Sequence, residues 1–136
     1  MRIRRIEHVG IAVKDLEQSR VVWEQLLGVP LAEVEELAQY RARIGMYPIG
    51  DSMVELLQGT TPDAKFSVVV RERGEGLHHL CLEVDDIDGA LAELKAKGVK
   101  LLDEHARPGH EGMRIAFIDP ASTGNVLIEL VERAHP

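Results

Sequence analysis

The chain of 136 residues has a single cysteine, Cys81, so an intramolecular disulfide is excluded. That usage suits a reducing compartment, and the expected location is the cytoplasm. Aromatic residues are scarce: two Tyr, two Phe and one Trp leave little material for an aromatic pocket. No apolar run approaches the roughly 20 residues that span a bilayer. The basic opening MRIRRIEHVG is not followed by the apolar core of a signal peptide, so no membrane association is expected. Excess positive charge is also missing. A formal charge of −7 argues against a nucleic-acid partner, which would select a basic surface. What remains, 45% hydrophobic and 29% charged residues, is the composition of an ordinary globular protein. One domain over 1–136 is expected.

The chain repeats itself. EHVGIAVKDLE (7–17) aligns with HHLCLEVDDID (78–88) at an offset of 71, which superposes His8 on His79, Val13 on Val84 and Asp15 on Asp86. Near the end of each half, VELLQ (54–58) matches IELVE (128–132). A repeat this long reads as a duplicated domain half rather than a solenoid unit. Each half opens with an alternating strand (6–13, 77–84). A helix follows, with Asp15 or Asp86 as N-cap and Gly28 or Gly98 as terminator. Leu16, Arg20, Trp23 and Leu27 mark one face of the first helix, and Ile87, Ala90, Leu91 and Leu94 that of the second. Extended runs are expected at 30–36, 39–47 and 53–58, then at 99–103, 112–118 and 125–131. The reading is α+β, with a βαβββ module over 4–58 and another over 76–132. A helix capped near Thr61, with Pro62 at its first position, is expected between them.

Strand periodicity selects the chemistry. Val9, Ile11 and Val13 share the face suited to packing under a helix, so His8, Gly10 and Ala12 share the other. By the same alternation Leu80, Leu82 and Val84 face the core, and His79, Cys81 and Glu83 face away. His78 falls on the packing side at the strand edge. Glu55 and Glu129 each interrupt an apolar triplet, and an unpaired buried carboxylate is costly. Projection to the face opposite their apolar neighbours resolves the conflict. A strand histidine alone is ordinarily a hydrogen-bonded structural residue, and a strand glutamate alone an edge residue facing solvent. Their recurrence at matching places in both halves favours a divalent-metal site of His8, Glu55, His79 and Glu129. Cys81 reads as a small packing residue, and His105, His110 and His135 as surface residues.

A duplicated βαβββ unit, with His on its first strand and Glu on its last, resembles the vicinal oxygen chelate superfamily. Within it, IEHVGIAVKDLE, PIGDSMVELL, RGEGLHHLCLEVDDID, AELKAKGVKLLDE and STGNVLIELVE resemble the methylmalonyl-CoA epimerase family. The resemblance covers almost the whole chain. It implies a cupped mixed sheet around the metal, the glyoxalase-like fold, within a homodimer. Matched residue by residue, it implies His8, His79 and Glu129 as ligands of a divalent ion (Co, Ni, Mn or Zn), with Glu55 where the family has Gln or Glu. The implied reaction interconverts (2R)- and (2S)-methylmalonyl-CoA, an acyl-CoA substrate, by moving the C2 proton through a metal-stabilised enolate. Glu55 and Glu129 are then the candidate catalytic bases.

The chain departs from the family at YRARIGMYP (40–48). Some members carry a glutamate base on an inner strand there, whereas this sequence offers Arg41 and Arg43. Arg43 is a candidate for holding a substrate carboxylate, and Arg114 in MRIAF a second one. Both could equally be surface arginines. Two other readings stand beside this one. A glyoxalase I-like lactoylglutathione lyase also needs two His and two Glu. A metal-free binding or resistance protein needs no ligand set at all.

Overall fold

A computed structural model describes residues 1–134; His135 lies outside the described residues. The order is β1 (Ile3–Ala12), α1 (Leu16–Arg20), β2 (Glu33–Leu37), β3 (Ala42–Ile49), β4 (Ser52–Gly59), α2 (Lys65–Arg73), β5 (Gly76–Val84), α3 (Ile87–Ala96), β6 (Arg107–Pro108), β7 (Arg114–Ile118) and β8 (Ile128–Glu132). This is α+β, with βαβββ on each side of α2. Among the described residues no helix is long and apolar enough to cross a membrane. The chain divides into two compact units, His8–His78 and Met1–Glu7 with the chain from His79 onward.

In the His8–His78 unit the strand order is β2-β3-β4-β1. β4 runs antiparallel to β3 and parallel to β1. Asp15 caps α1 by accepting from the Glu17 and Gln18 backbone amides. The helix is α-helical only to Arg20; Val21–Leu26 widen into a π turn before Gly28, at φ +71°, ends it. The wider turn alters the expected apolar face. Arg20 pairs with Glu17 and Glu24 instead of packing, and Leu27 is exposed. Leu16 and Trp23 still pack with Val13, Tyr47 and Leu56 beneath the helix. The fully buried Tyr47 donates to Glu24, and burial together with that carboxylate pushes its phenol up to about 12.

A second apolar cluster, Ala42, Ile44 and Leu57, lies on the opposite face of these strands, and Phe66 of α2 packs against it. The N-cap of α2 is Ala64 rather than a residue near Thr61; Thr61 instead uses its carbonyl to accept from the Ser67 hydroxyl.

In the other unit residues 3–7 of β1 stand beside β5, tied by Arg4–Asp85 and Arg5–Glu83 ion pairs, and the order continues β5-β8-β7-β6. β5 is parallel to β8, as β1 is to β4. Asp86 caps α3, whose Ile87, Ala90, Leu91 and Leu94 pack on Val84, Ala116, Ile118 and Leu130.

The expected strand at 99–103 is reduced to one bridge, Leu101 to Ile118. The Asp103 carboxylate accepts from the Phe117 amide and so takes the place of a backbone partner. The missing strand is supplied by the two residues of β6. The last strand also begins three residues later than expected, because Asn125 at φ +68° is held in a turn.

α2 can dock on the end of β4 only because residue 59 is glycine: a Cβ there would meet the Ser67 backbone nitrogen at 2.7 Å. Gly59→Ala should therefore lower stability by about 1–3 kcal/mol. Urea denaturation of the variant, with a reduced midpoint at unchanged slope, is the check.

Candidate functional site

Parallel pairing of the first and last strand within each half sets the geometry. In the His8–His78 unit Gly10 is opposite Glu55, so His8 lies two positions before the carboxylate's partner, on the same face. In the other unit Cys81 is opposite Glu129, and His79 lies two positions before it. His8 Nδ1 is 3.5 Å from Glu55 Oε2, and His79 Nε2 is 3.2 Å from Glu129 Oε1. The residue opposite each carboxylate is small, a glycine in one half and a fully buried cysteine in the other. His8 and Glu129 are buried, and the Glu55 side chain is 16% exposed.

Each unit therefore holds a candidate metal-ligating pair of one imidazole nitrogen and one carboxylate oxygen. An imidazole is a ligand when neutral and a carboxylate when ionised, so each pair would offer a divalent cation one neutral and one anionic donor. Nitrogen and oxygen donors suit Mn, Co, Ni or Zn. The fit rests on this donor set.

A family model described as the Glyoxalase/Bleomycin resistance protein/Dioxygenase superfamily matches residues 7–117. The chain belongs to this superfamily. Among its members, the mitochondrial methylmalonyl-CoA epimerase of Bos taurus is 33% identical over 127 residues, covering 93% of this chain and 73% of that protein. A methylmalonyl-CoA epimerase of Streptomyces coelicolor, solved with 2-nitronate-propionyl-CoA, is 32% identical. It aligns over 98% of this chain and 96% of that one, with a TM-score of 0.88. A hypothetical protein of Bacillus halodurans has a TM-score of 0.92 at 30% identity, with 97% and 96% coverage.

The duplication within this chain extends beyond the His and Glu positions. Gln58, three residues past Glu55, accepts from the Leu16 amide at 2.7 Å, and Glu132, three past Glu129, accepts from the Ile87 amide at 3.1 Å. Each last strand is thus fastened to the start of its own helix. Arg43 and Arg114 repeat as well, again at an offset of 71. Arg43 shares a face of β3 with Gly45 and Tyr47, which lie against α1, and its partners are Glu17 and Glu36. Arg114 is opposite Glu132 on the α3 side and makes a bidentate pair with Asp88 at 2.8 Å through both terminal nitrogens. Neither is brought to the His–carboxylate pair of its own unit. Strand alternation fixes their side: both lie an odd number of positions from residues of the ligand face.

Of the other histidines, His78 stacks edge-on against Phe66 at 5.1 Å. Glu83, on the ligand face by alternation, is buried among Arg5 and Arg133, at 2.9 and 3.0 Å. The sequence reading missed Phe117, opposite Glu129 and edge-on to His79 at 5.9 Å, and Arg107, which lies over the Phe117 ring. The turn-rich RPGHEG stretch gave the only hint of the latter.

The Arg114 guanidinium, through its hydrogen bonds, holds the Asp88 carboxyl below its ordinary 3.8. A carboxyl lowered in the folded state stabilises fully above the unfolded value, and the contribution disappears as pH falls through the lowered one. Arg114→Leu should be less stable than wild type at neutral pH, with the gap closing below pH 3.8. Denaturation midpoints across an acid series measure it.

Proposed function

We propose that this protein is a divalent-metal-dependent epimerase that interconverts (2R)- and (2S)-methylmalonyl-CoA. His8, Glu55, His79 and Glu129 together hold the ion, and Glu55 and Glu129 serve as the proton-transferring bases. One observation carries the reading. A histidine and a carboxylate stand as a close pair at the same place in both halves of a chain whose relatives include methylmalonyl-CoA epimerases.

The C2 proton of such a substrate lies between a thioester and a carboxylate. Epimerisation requires it to leave one face of the C2 plane and a proton to return at the other. A divalent ion held by His8, Glu55, His79 and Glu129 would supply Lewis acidity, making C2 more acidic. The chain supplies the rest. Glu129 and Glu55 occupy equivalent places in the two halves, which suits removal of the proton by one carboxylate and delivery by the other. Each carboxylate has two oxygens, one to ligate and one to carry the proton. His8 and His79 stand beside the carboxylates as co-ligands would, His8 Nδ1 3.5 Å from Glu55 and His79 Nε2 3.2 Å from Glu129. Phe117, edge-on to His79, keeps water from that side of the imidazole. The reading includes an acyl-CoA substrate, no nucleic-acid or membrane partner, a homodimer and a cytoplasmic location.

Incubation of (2S)-methylmalonyl-CoA in D2O tests the proposal. Deuterium should enter C2 as the substrate racemises, stop entering after chelation and resume on addition of Co, Mn, Ni or Zn. Glu129→Gln should slow exchange by at least about 100-fold, since a ligand and a base are lost together. Metal-independent exchange would overturn the proposal, as would turnover of the methylglyoxal–glutathione hemithioacetal without C2 exchange.

A further inference from the structure

β6 is only two residues long, yet it is placed firmly. Arg107 is opposite Ile115 on β7, and the chain then turns at Gly109, whose amide donates to the Met113 carbonyl at 2.7 Å. A Cβ at Gly109 would meet Ile115 Cγ2 at 2.8 Å, so the turn closes tightly only with glycine there. Ile115 and Phe117 share a face of β7, and Phe117 is opposite Glu129, so Arg107 belongs to the face that carries His79 and Glu129. Its guanidinium carbon lies 5.7 Å from the centre of the Phe117 ring, which also stands edge-on to His79.

Asp103 anchors the arrangement at both ends. One carboxylate oxygen accepts from Arg107 Nε at 3.2 Å and the other from the Phe117 amide at 2.8 Å. The Arg107 side chain is 41% exposed. Among the described residues its hydrogen bonding runs to Asp103 through Nε, which leaves the Nη1/Nη2 fork for another acceptor. Three other arginines of this unit differ. Arg114 spends its fork on Asp88 across the sheet, and Arg5 and Arg133 converge on Glu83 and Glu7.

We propose that Arg107 binds an anionic group of the substrate, a carboxylate or phosphate oxygen, one aromatic ring away from His79. The inference rests on the epimerase reading and deepens it. A guanidinium fork matches two oxygens of either anion, and Asp103 and Phe117 preset its position so that little side-chain freedom is lost on binding. Methylmalonyl-CoA carries both anions: the carboxylate on C2, and the phosphates at the far end of the pantetheine arm.

Arg107→Gln and Arg107→Lys separate the possibilities. With methylmalonyl-CoA, Arg107→Gln should raise KM about 10- to 100-fold with kcat nearly unchanged, and Arg107→Lys should recover part of the loss. Two probes then identify the anion. Methylmalonyl-pantetheine lacks the CoA phosphates, and propionyl-CoA, measured by calorimetric titration, lacks the carboxylate. A KM penalty that persists with the pantetheine thioester, with propionyl-CoA binding unaltered, assigns the carboxylate. A penalty that vanishes with the pantetheine thioester, with propionyl-CoA binding weakened to match, assigns a phosphate. Unchanged KM and binding in Arg107→Gln, or a loss confined to kcat, overturns the role of Arg107 while wild-type turnover leaves the epimerase reading standing. A wild-type protein that neither exchanges C2 nor binds either CoA thioester overturns both.

Discussion

Parallel closure of each half, first strand against last, is the constraint from which the rest of the structure follows. Parallel strands need a long crossover between them, and here that crossover contains a helix and two further strands. The helix must cover one face of the strands it connects, so the apolar alternates of β1 and β4, and of β5 and β8, are committed to it. The remaining alternates face away, and the parallel register sets a histidine diagonally beside a glutamate twice over. Gly10 and Cys81 complete this logic: each is opposite the carboxylate, and each is small enough to let the imidazole lean across.

Much of this was legible in the sequence because it depends on period and repetition. An alternation of two places His8 and His79 without knowledge of any partner strand, and the 71-residue offset makes each half corroborate the other. The same alternation, applied to 42–49 and 114–118, places Arg43 and Arg114 on the helix side. Other features were beyond local reading. The π turn after Arg20 changes which residues of the first helix pack, yet 3.6-residue periodicity shows nothing unusual there. β6 is too short to carry a pattern and exists only through β7. Arg107 acquires meaning from Phe117 and Asp103, which are not adjacent to it in sequence.

The two halves have also diverged in ways the duplication makes visible. Ala12 in one half corresponds to Glu83 in the other, and the added carboxylate is buried with arginines from β1 and from beyond β8. A buried charge network of this kind contributes less to stability than to a unique arrangement, since its attraction is offset by desolvation. Gln58 and Glu132 do the same backbone-capping task, but only Glu132 brings a charge to the helix start, where the helix dipole favours it.

β1 has a consequence for the order in which the molecule can be made. Its residues from His8 onward belong with the chain up to His78, whereas residues 1–7 belong with the chain from His79. Arg4 and Arg5 precede their partners Asp85 and Glu83 by some eighty positions. Arg133, which reaches both Glu7 and Glu83, comes at the very end of the described chain. The unit from His8 to His78 can fold during synthesis, because every strand it needs is already present. The other must keep residues 1–7 available until β5 and Arg133 have been made, and such distant closures are the slow steps of folding. Residues 1–7, made before the His8–His78 unit, therefore find their place after it.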